Sequence, residues 1–174
     1  MMNIKSIKVN GFVKIFILVG IILSLFVSIV LRKSSVSYIP LSEENMVKVI
    51  QVIDGDTIKI KGGEMVRYIG IDAPETVDPR KSVECIGKEG FRRNKELVEG
   101  KMVRLEKDVV DRDKYHRLLR YVWIDDMLVN AELVKQGFAY AYSFPPDIKY
   151  HYLFTKAQQE AMQGKRGLWR SCGY

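Results

Sequence analysis

The sequence predicts an α+β domain, mainly β. It is a small closed barrel of five strands with about three helices around it, preceded by an N-terminal hydrophobic helix. Three observations carry this. β-Branched runs alternate with Gly and Asp turn signals over 46–71 and again over 102–128. Two stretches with helical patterning, 88–98 and 149–163, end at glycines. An uncharged apolar run of 17 residues occupies 15–31.

At the N-terminus, Lys5, Lys8 and Lys14 precede the apolar run, and Arg32 and Lys33 come after it. Its length is at the lower limit for a bilayer span and long for a signal-peptide core. Residues 1–33 are therefore read as a signal or transmembrane anchor. Either puts the rest of the chain outside the cytoplasm, membrane-anchored or secreted. Residues 34–45, rich in Ser and holding Pro40, read as a linker, and 46–174 as the folded domain.

Met46–Ile53 and Thr57–Lys61 are strand-like runs broken by Asp54-Gly55, and Gly62-Gly63 turns the chain into Met65–Ile71. A two-residue turn at these glycines sets Asp56 opposite Ile69, which directs Asp56 and Arg67 to one face. Asp72 has the other parity and joins them only if the strand bends, as Gly70 allows. Lys88–Val98 is a weakly amphipathic helix stopped by Gly100. Met102–Leu105, Leu118–Ile124 and Met127–Leu128 are further strands. Asn130 is a candidate cap for a helix over Ala131–Gln136, stopped by Gly137. A last helix runs from about Lys149 to Gln163.

The net charge of +7 overstates any pull on a polyanion. Residues 1–33 hold five basic residues and no acid, leaving 23 basic and 21 acidic residues in 34–174, a net of about +2. The basic clusters Arg80-Lys81 and Lys88–Lys95 read equally well as solvated surface. No Cys-x-x-Cys and no His-x-x-x-His occurs among two cysteines and two histidines, which argues against a structural zinc site.

The chemistry lies in an ordered set. Asp56 sits in Asp54-Gly55-Asp56-Thr57, Arg67 comes next, then Asp72-Ala73-Pro74-Glu75-Thr76, and Arg117 closes Asp113-Lys114-Tyr115-His116-Arg117. Carboxylates hold a hard divalent cation, guanidinium forks match phosphate, and a carboxylate beside the metal can accept a proton from water. Together these fit metal-assisted hydrolysis of a phosphodiester. Each residue alone has a plainer role. Asp54-Gly55 reads as an ordinary turn, Arg117 as a surface partner of Asp111 or Asp113, and Tyr140 and Tyr142 as packing residues. His116 and His151 read as surface histidines, and Trp169 as the anchor of the last helix.

The ordered set resembles the staphylococcal nuclease (thermonuclease) family over roughly Lys48 to Trp169. The carrying motifs are Val52–Thr57, Arg67–Thr76 and Asp113–Arg117, supported by Val129–Gly137 and Gly167-Leu168-Trp169. The resemblance implies an OB-fold barrel and a calcium-dependent nuclease acting on DNA and RNA and leaving 3′-phosphate ends. It implies that Asp56, Asp72 and the carbonyl of Ala73 bind Ca²⁺, that Glu75 is the general base, and that Arg67 and Arg117 hold the scissile phosphate. Lys114 and Tyr115 would contact a neighbouring phosphate, and Tyr142 a base. Ala73 and His116 depart from the family, which often has Thr and Gly there. The competing class is a non-catalytic OB-type module tethered to the membrane. A monomer is expected.

Cys85 and Cys172 lie in the folded part of a domain expected outside the cytoplasm. That context predicts one disulfide pinning the C-terminal helix to the loop that carries the acids; two unpaired thiols are the alternative.

Overall fold

The computed structural model describes residues 16, 18–22, 24, 46–76 and 84–173. They fall into two units, 1–41 and 42–174. In the first, residues 16, 18–22 and 24 are helical. Among the described residues no helix is long and apolar enough to cross a membrane. Most of the 15–31 run and the 34–45 linker lie outside the described residues.

The second unit is built on five strands: β1 (Met46–Asp54), β2 (Thr57–Ile60), β3 (Met65–Tyr68), β5 (Met102–Glu106) and β6 (Leu118–Ile124). Their order is β3-β2-β1-β5-β6, and a parallel β3–β6 pairing closes the barrel. The short β7 (Met127–Leu128) pairs antiparallel with β6 at Trp123 and Ile124. The short β4 (Ile71–Asp72) and β8 (Tyr140–Ala141) pair with each other beside the barrel. Among the described residues this unit has four helices: α1 (Gly87–Val98), α2 (Val129–Lys135), α3 (His151–Gln163) and the single-turn α4 (Leu168–Ser171). This is the OB-fold barrel, with helices as expected.

The strands form because their alternate residues close one apolar interior. Val49, Ile58, Val66 and Val103 are fully buried; Tyr121 and Val122, successive on β6, point to opposite faces and are both buried because the second face is covered as well. Removing any one of these side chains' larger groups would cost about 2–4 kcal/mol, the usual range for truncation in a packed core.

One register expectation is corrected. Thr57 pairs with Arg67 and Ile58 with Val66, so Asp56 faces Tyr68 and not Ile69. The cause is the turn: Ile60 N–H bonds to Glu64 O, so Lys61, Gly62 and Gly63 form a three-residue loop instead of a two-residue one. In a regular ladder this register would send Asp56 and Arg67 to opposite faces. They meet because Asp56 precedes β2, in the turn from β1, where the pleat no longer fixes its direction.

Asn130 is the second correction. Helix α2 starts two residues earlier, at Val129, and Leu128 occupies the capping position. The Asn130 side chain is fully buried. It accepts from Val122 N–H at 2.9 Å and donates to Ile69 O at 2.9 Å. It ties α2 to β6 and to the chain just before the Gly70 bend. Gly137 stops the helix as expected, with φ of +78°.

Candidate active site

Two buried asparagines and two glycines build the site's frame. Asn94 of α1 donates to Asp54 O at 3.0 Å and accepts from Tyr68 OH at 2.9 Å, fixing the β1–β2 turn against β3. Asn130 does the same for Ile69. Gly55 lets the turn approach the next segment, since a Cβ there would stand 2.6 Å from the Ala73 Cβ. Gly70 bends the chain with φ of +80°, a conformation that a side chain disfavours. Its missing Cβ leaves room for the Phe154 ring, which would be only 2.2 Å away.

This frame brings Asp56, Arg67, Asp72 and Ala73 into direct contact. Arg67 Nη2 lies 3.0 Å from Asp56 Oδ2 and 2.8 Å from Asp72 Oδ1. Its Nη1 donates to the carbonyls of Tyr68 and Ile71 at 3.0 and 2.9 Å, which locks the guanidinium plane. Asp56 is buried, accepts from Ala73 N–H at 2.8 Å through Oδ2 and from the Thr57 hydroxyl at 3.0 Å through Oδ1. Asp72 is half exposed at the edge of β4. Burial pushes its carboxyl above the usual range, while the Arg67 charge draws it back.

Glu75 sits next to this group on the following loop. Its side chain accepts from Thr76 N–H at 3.0 Å. Glu84 holds its backbone, donating its N–H to Glu75 O at 3.0 Å and accepting Glu75 N–H at 3.2 Å. Residues 77–83 between them lie outside the described residues.

Asp54, read from sequence as a turn residue, is buried among these acids. It accepts from Gly55 N–H and from the Thr76 hydroxyl. Burial pushes its carboxyl up to about 6, against those two hydrogen bonds, with Glu75 and Asp56 adding to the rise. The Asp-Gly-Asp spacing was the only sequence signal for it, and that spacing is ordinary in turns.

Arg117 lies across an open cleft of about 230 Å³ that it lines with Arg67, Tyr142, Phe144 and Asp147. Asp113 grips it through Nε at 2.7 Å and through the backbone N–H at 3.0 Å. The plainer pairing expected for Arg117 therefore exists, and it orients the guanidinium on the cleft wall. Burial would raise the Asp113 carboxyl, but the hydrogen bonds from Arg117 and Tyr115 outweigh it and hold it low. Tyr115 is 67% exposed, with Lys114 Nζ and the Arg117 guanidinium 5.0 and 5.5 Å from its ring centre. Tyr142 is 60% exposed on the cleft rim, and Phe144, not singled out by sequence, is 72% exposed beside it. Tyr140 instead packs edge-on against Trp169, ring centres 5.8 Å apart. Cys85 and Cys172 are bonded, with Cα atoms 5.9 Å apart.

Chemically, the arrangement offers only oxygen donors and two guanidinium groups. Among the described residues no group of three or more His, Cys, Asp or Glu forms a ready-made metal cage. Asp56 and Asp72 nevertheless present two carboxylate oxygens converging on one cationic nitrogen. Such a sparse, partly exposed oxygen set fits a hard cation that draws its remaining ligands from water or phosphate.

The closed OB barrel thus carries acids and arginines side by side, and its sequence places it in a nuclease family. The staphylococcal nuclease homologue family model matches residues 65–171, and the chain belongs to that family. It is 45% identical over 122 residues to the thermonuclease of Staphylococcus intermedius, covering 68% of this chain and 73% of the relative. Over 131 residues it is 40% identical to the thermonuclease of Staphylococcus hyicus, covering 74% and 78%. Over 129 residues it is 44% identical to endonuclease YncB of Bacillus subtilis (strain 168), covering 71% and 61%.

Proposed function

We propose that this chain is a calcium-dependent nuclease that hydrolyses phosphodiester bonds of DNA and RNA outside the cytoplasm and leaves 3′-phosphate ends. The observation that carries the reading is the double role of Arg67. Its guanidinium touches both Asp56 and Asp72, and the residue also lines the cleft that Arg117 and Tyr142 line. The acids and the phosphate-binding groups thus share one site. The thermonuclease and endonuclease relatives support the same reaction class.

In this reading Asp56, Asp72 and the Ala73 carbonyl hold the Ca²⁺. When bound, the ion offsets the charge of the phosphodiester and polarises its oxygen. Arg67 and Arg117 donate to the phosphate from two sides and stabilise charge that develops as the water adds. Glu75 accepts the proton of the attacking water. Lys114 and Tyr115 hold a neighbouring phosphate, and Tyr142 and Phe144 give bases a flat surface on which to stack. The apolar run 15–31 keeps the domain at the membrane as an anchor, or is removed as a signal. The enzyme acts as a monomer.

The experiment is digestion of DNA and RNA by the purified chain with Ca²⁺, with Mg²⁺ and with chelator, followed by end-group analysis. The reading requires 3′-phosphate ends with Ca²⁺ and less product with Mg²⁺, which keeps its waters and prefers a rigid octahedron. Nucleic-acid binding without cleavage under all three conditions would instead establish a non-catalytic module.

A further inference from the structure

We propose that the Cys85–Cys172 disulfide acts through Glu84 as a positioning device for Glu75, so that turnover depends on the bond being closed. This rests on the reading of Glu75 as general base. Glu84 bonds both backbone polar atoms of Glu75. Glu84 is covalently adjacent to Cys85, and the bond carries Cys85 to Cys172 across 87 positions of sequence. At the far end the anchor is firm. Cys172 N–H donates to Leu168 O at 3.0 Å, Leu168 is buried, and its own N–H donates to Gly137 O at 2.9 Å.

A second observation points the same way. Ile86, between Cys85 and α1, has φ of 53°, in the left-handed region that β-branched residues avoid. Such a conformation persists only where its surroundings over-determine it. The disulfide on one side and α1 on the other supply that constraint. Opening the bond lets Ile86 relax and Glu84 shift, and Glu75 moves with it. Asp56, Arg67 and Arg117 are held by other elements and stay in place.

The bond is within reach of solvent, since Cys85 is exposed and Cys172 half-buried. A dithiol reductant breaks the S–S bond, leaves two thiols and is itself oxidised to a cyclic disulfide.

The test is steady-state nuclease kinetics on the full-length chain. Wild type is compared before and after dithiothreitol, beside Cys85→Ser/Cys172→Ser, Glu84→Ala and Glu75→Gln. Opening the bond should lower kcat by about tenfold to a hundredfold with KM within about twofold, because a positioned group is displaced while substrate contacts remain. Glu84→Ala should lower kcat in the same direction. In a Glu75→Gln background, opening the bond should bring no further loss. Equal kcat in the open and closed forms would overturn the proposal, as would an undiminished further loss in that background. Should the double serine variant not fold by circular dichroism, Glu84→Ala decides: wild-type kcat overturns the proposal. Wild-type activity of Glu75→Gln would instead remove the base assignment itself.

Discussion

Nη2 of Arg67 stands 3.0 Å from Oδ2 of Asp56, and the same nitrogen stands 2.8 Å from Oδ1 of Asp72. One guanidinium thus keeps two carboxylates converged. Replacing Asp56 by Asn would remove the buried negative charge from this pair. Isothermal titration should then show Ca²⁺ affinity lowered by at least about tenfold, since ligand charge count sets affinity in oxygen sites. Unchanged affinity would place the cation elsewhere.

Glu75→Gln, Arg67→Ala and Arg117→Ala should each reduce turnover by at least about 10²-fold. Glu75 and Arg117 are only partly buried, so both of those variants should keep the wild-type circular dichroism spectrum. Near-normal rates in all three would dismantle the assignment of roles.

Asp54 gives a pH signature in the metal-free protein. Its folded carboxyl is raised from 3.8 to about 6. The folded state therefore binds this proton more tightly than the unfolded chain does. The stabilisation is fully present below 3.8 and is lost as pH rises through about 6. Asp54→Asn escapes that loss. Urea denaturation should find the variant more stable than wild type at pH 8, with the difference shrinking towards pH 4. A difference that stays constant across this range would contradict the linkage.

Two backbone positions separate easily. Gly70 has φ of +80° and no room for a Cβ beside Phe154. Gly70→Ala should destabilise by at least about 2 kcal/mol in chemical denaturation, by strain and overpacking together. His116 has φ of 64° in a turn closed by its own N–H to Asp113 O at 3.0 Å. Glycine adopts that conformation without cost, so His116→Gly should be neutral or stabilise by up to about 1 kcal/mol. A loss of stability at 116 would show that the imidazole has a structural partner.

Much of this was legible in the sequence, for reasons that differ by residue. Strand runs and their glycine stops gave the barrel, because period-two patterning and turn chemistry are local. Arg67, Asp72 and Arg117 were legible as an ordered set of chemically matched groups. The hairpin register was not, because Gly62-Gly63 serves two- and three-residue turns alike, and the choice depends on how Ile60 meets Glu64. Asn130 reads as a cap because a cap and a buried bridge use the same amide, and only the packing of α2 against β6 selects the bridge. The roles of Asp54 and Phe144 are not legible in sequence because burial of an acid and exposure of a ring on a cleft rim are tertiary properties.

The most direct measurement is release of acid-soluble nucleotides from DNA by the purified chain with millimolar Ca²⁺ and with excess chelator, with Glu75→Gln in parallel. The account predicts rapid release with Ca²⁺, none with chelator, and a rate reduced by at least about 10²-fold in the variant. Full release in chelator, or a variant as fast as wild type, would contradict it.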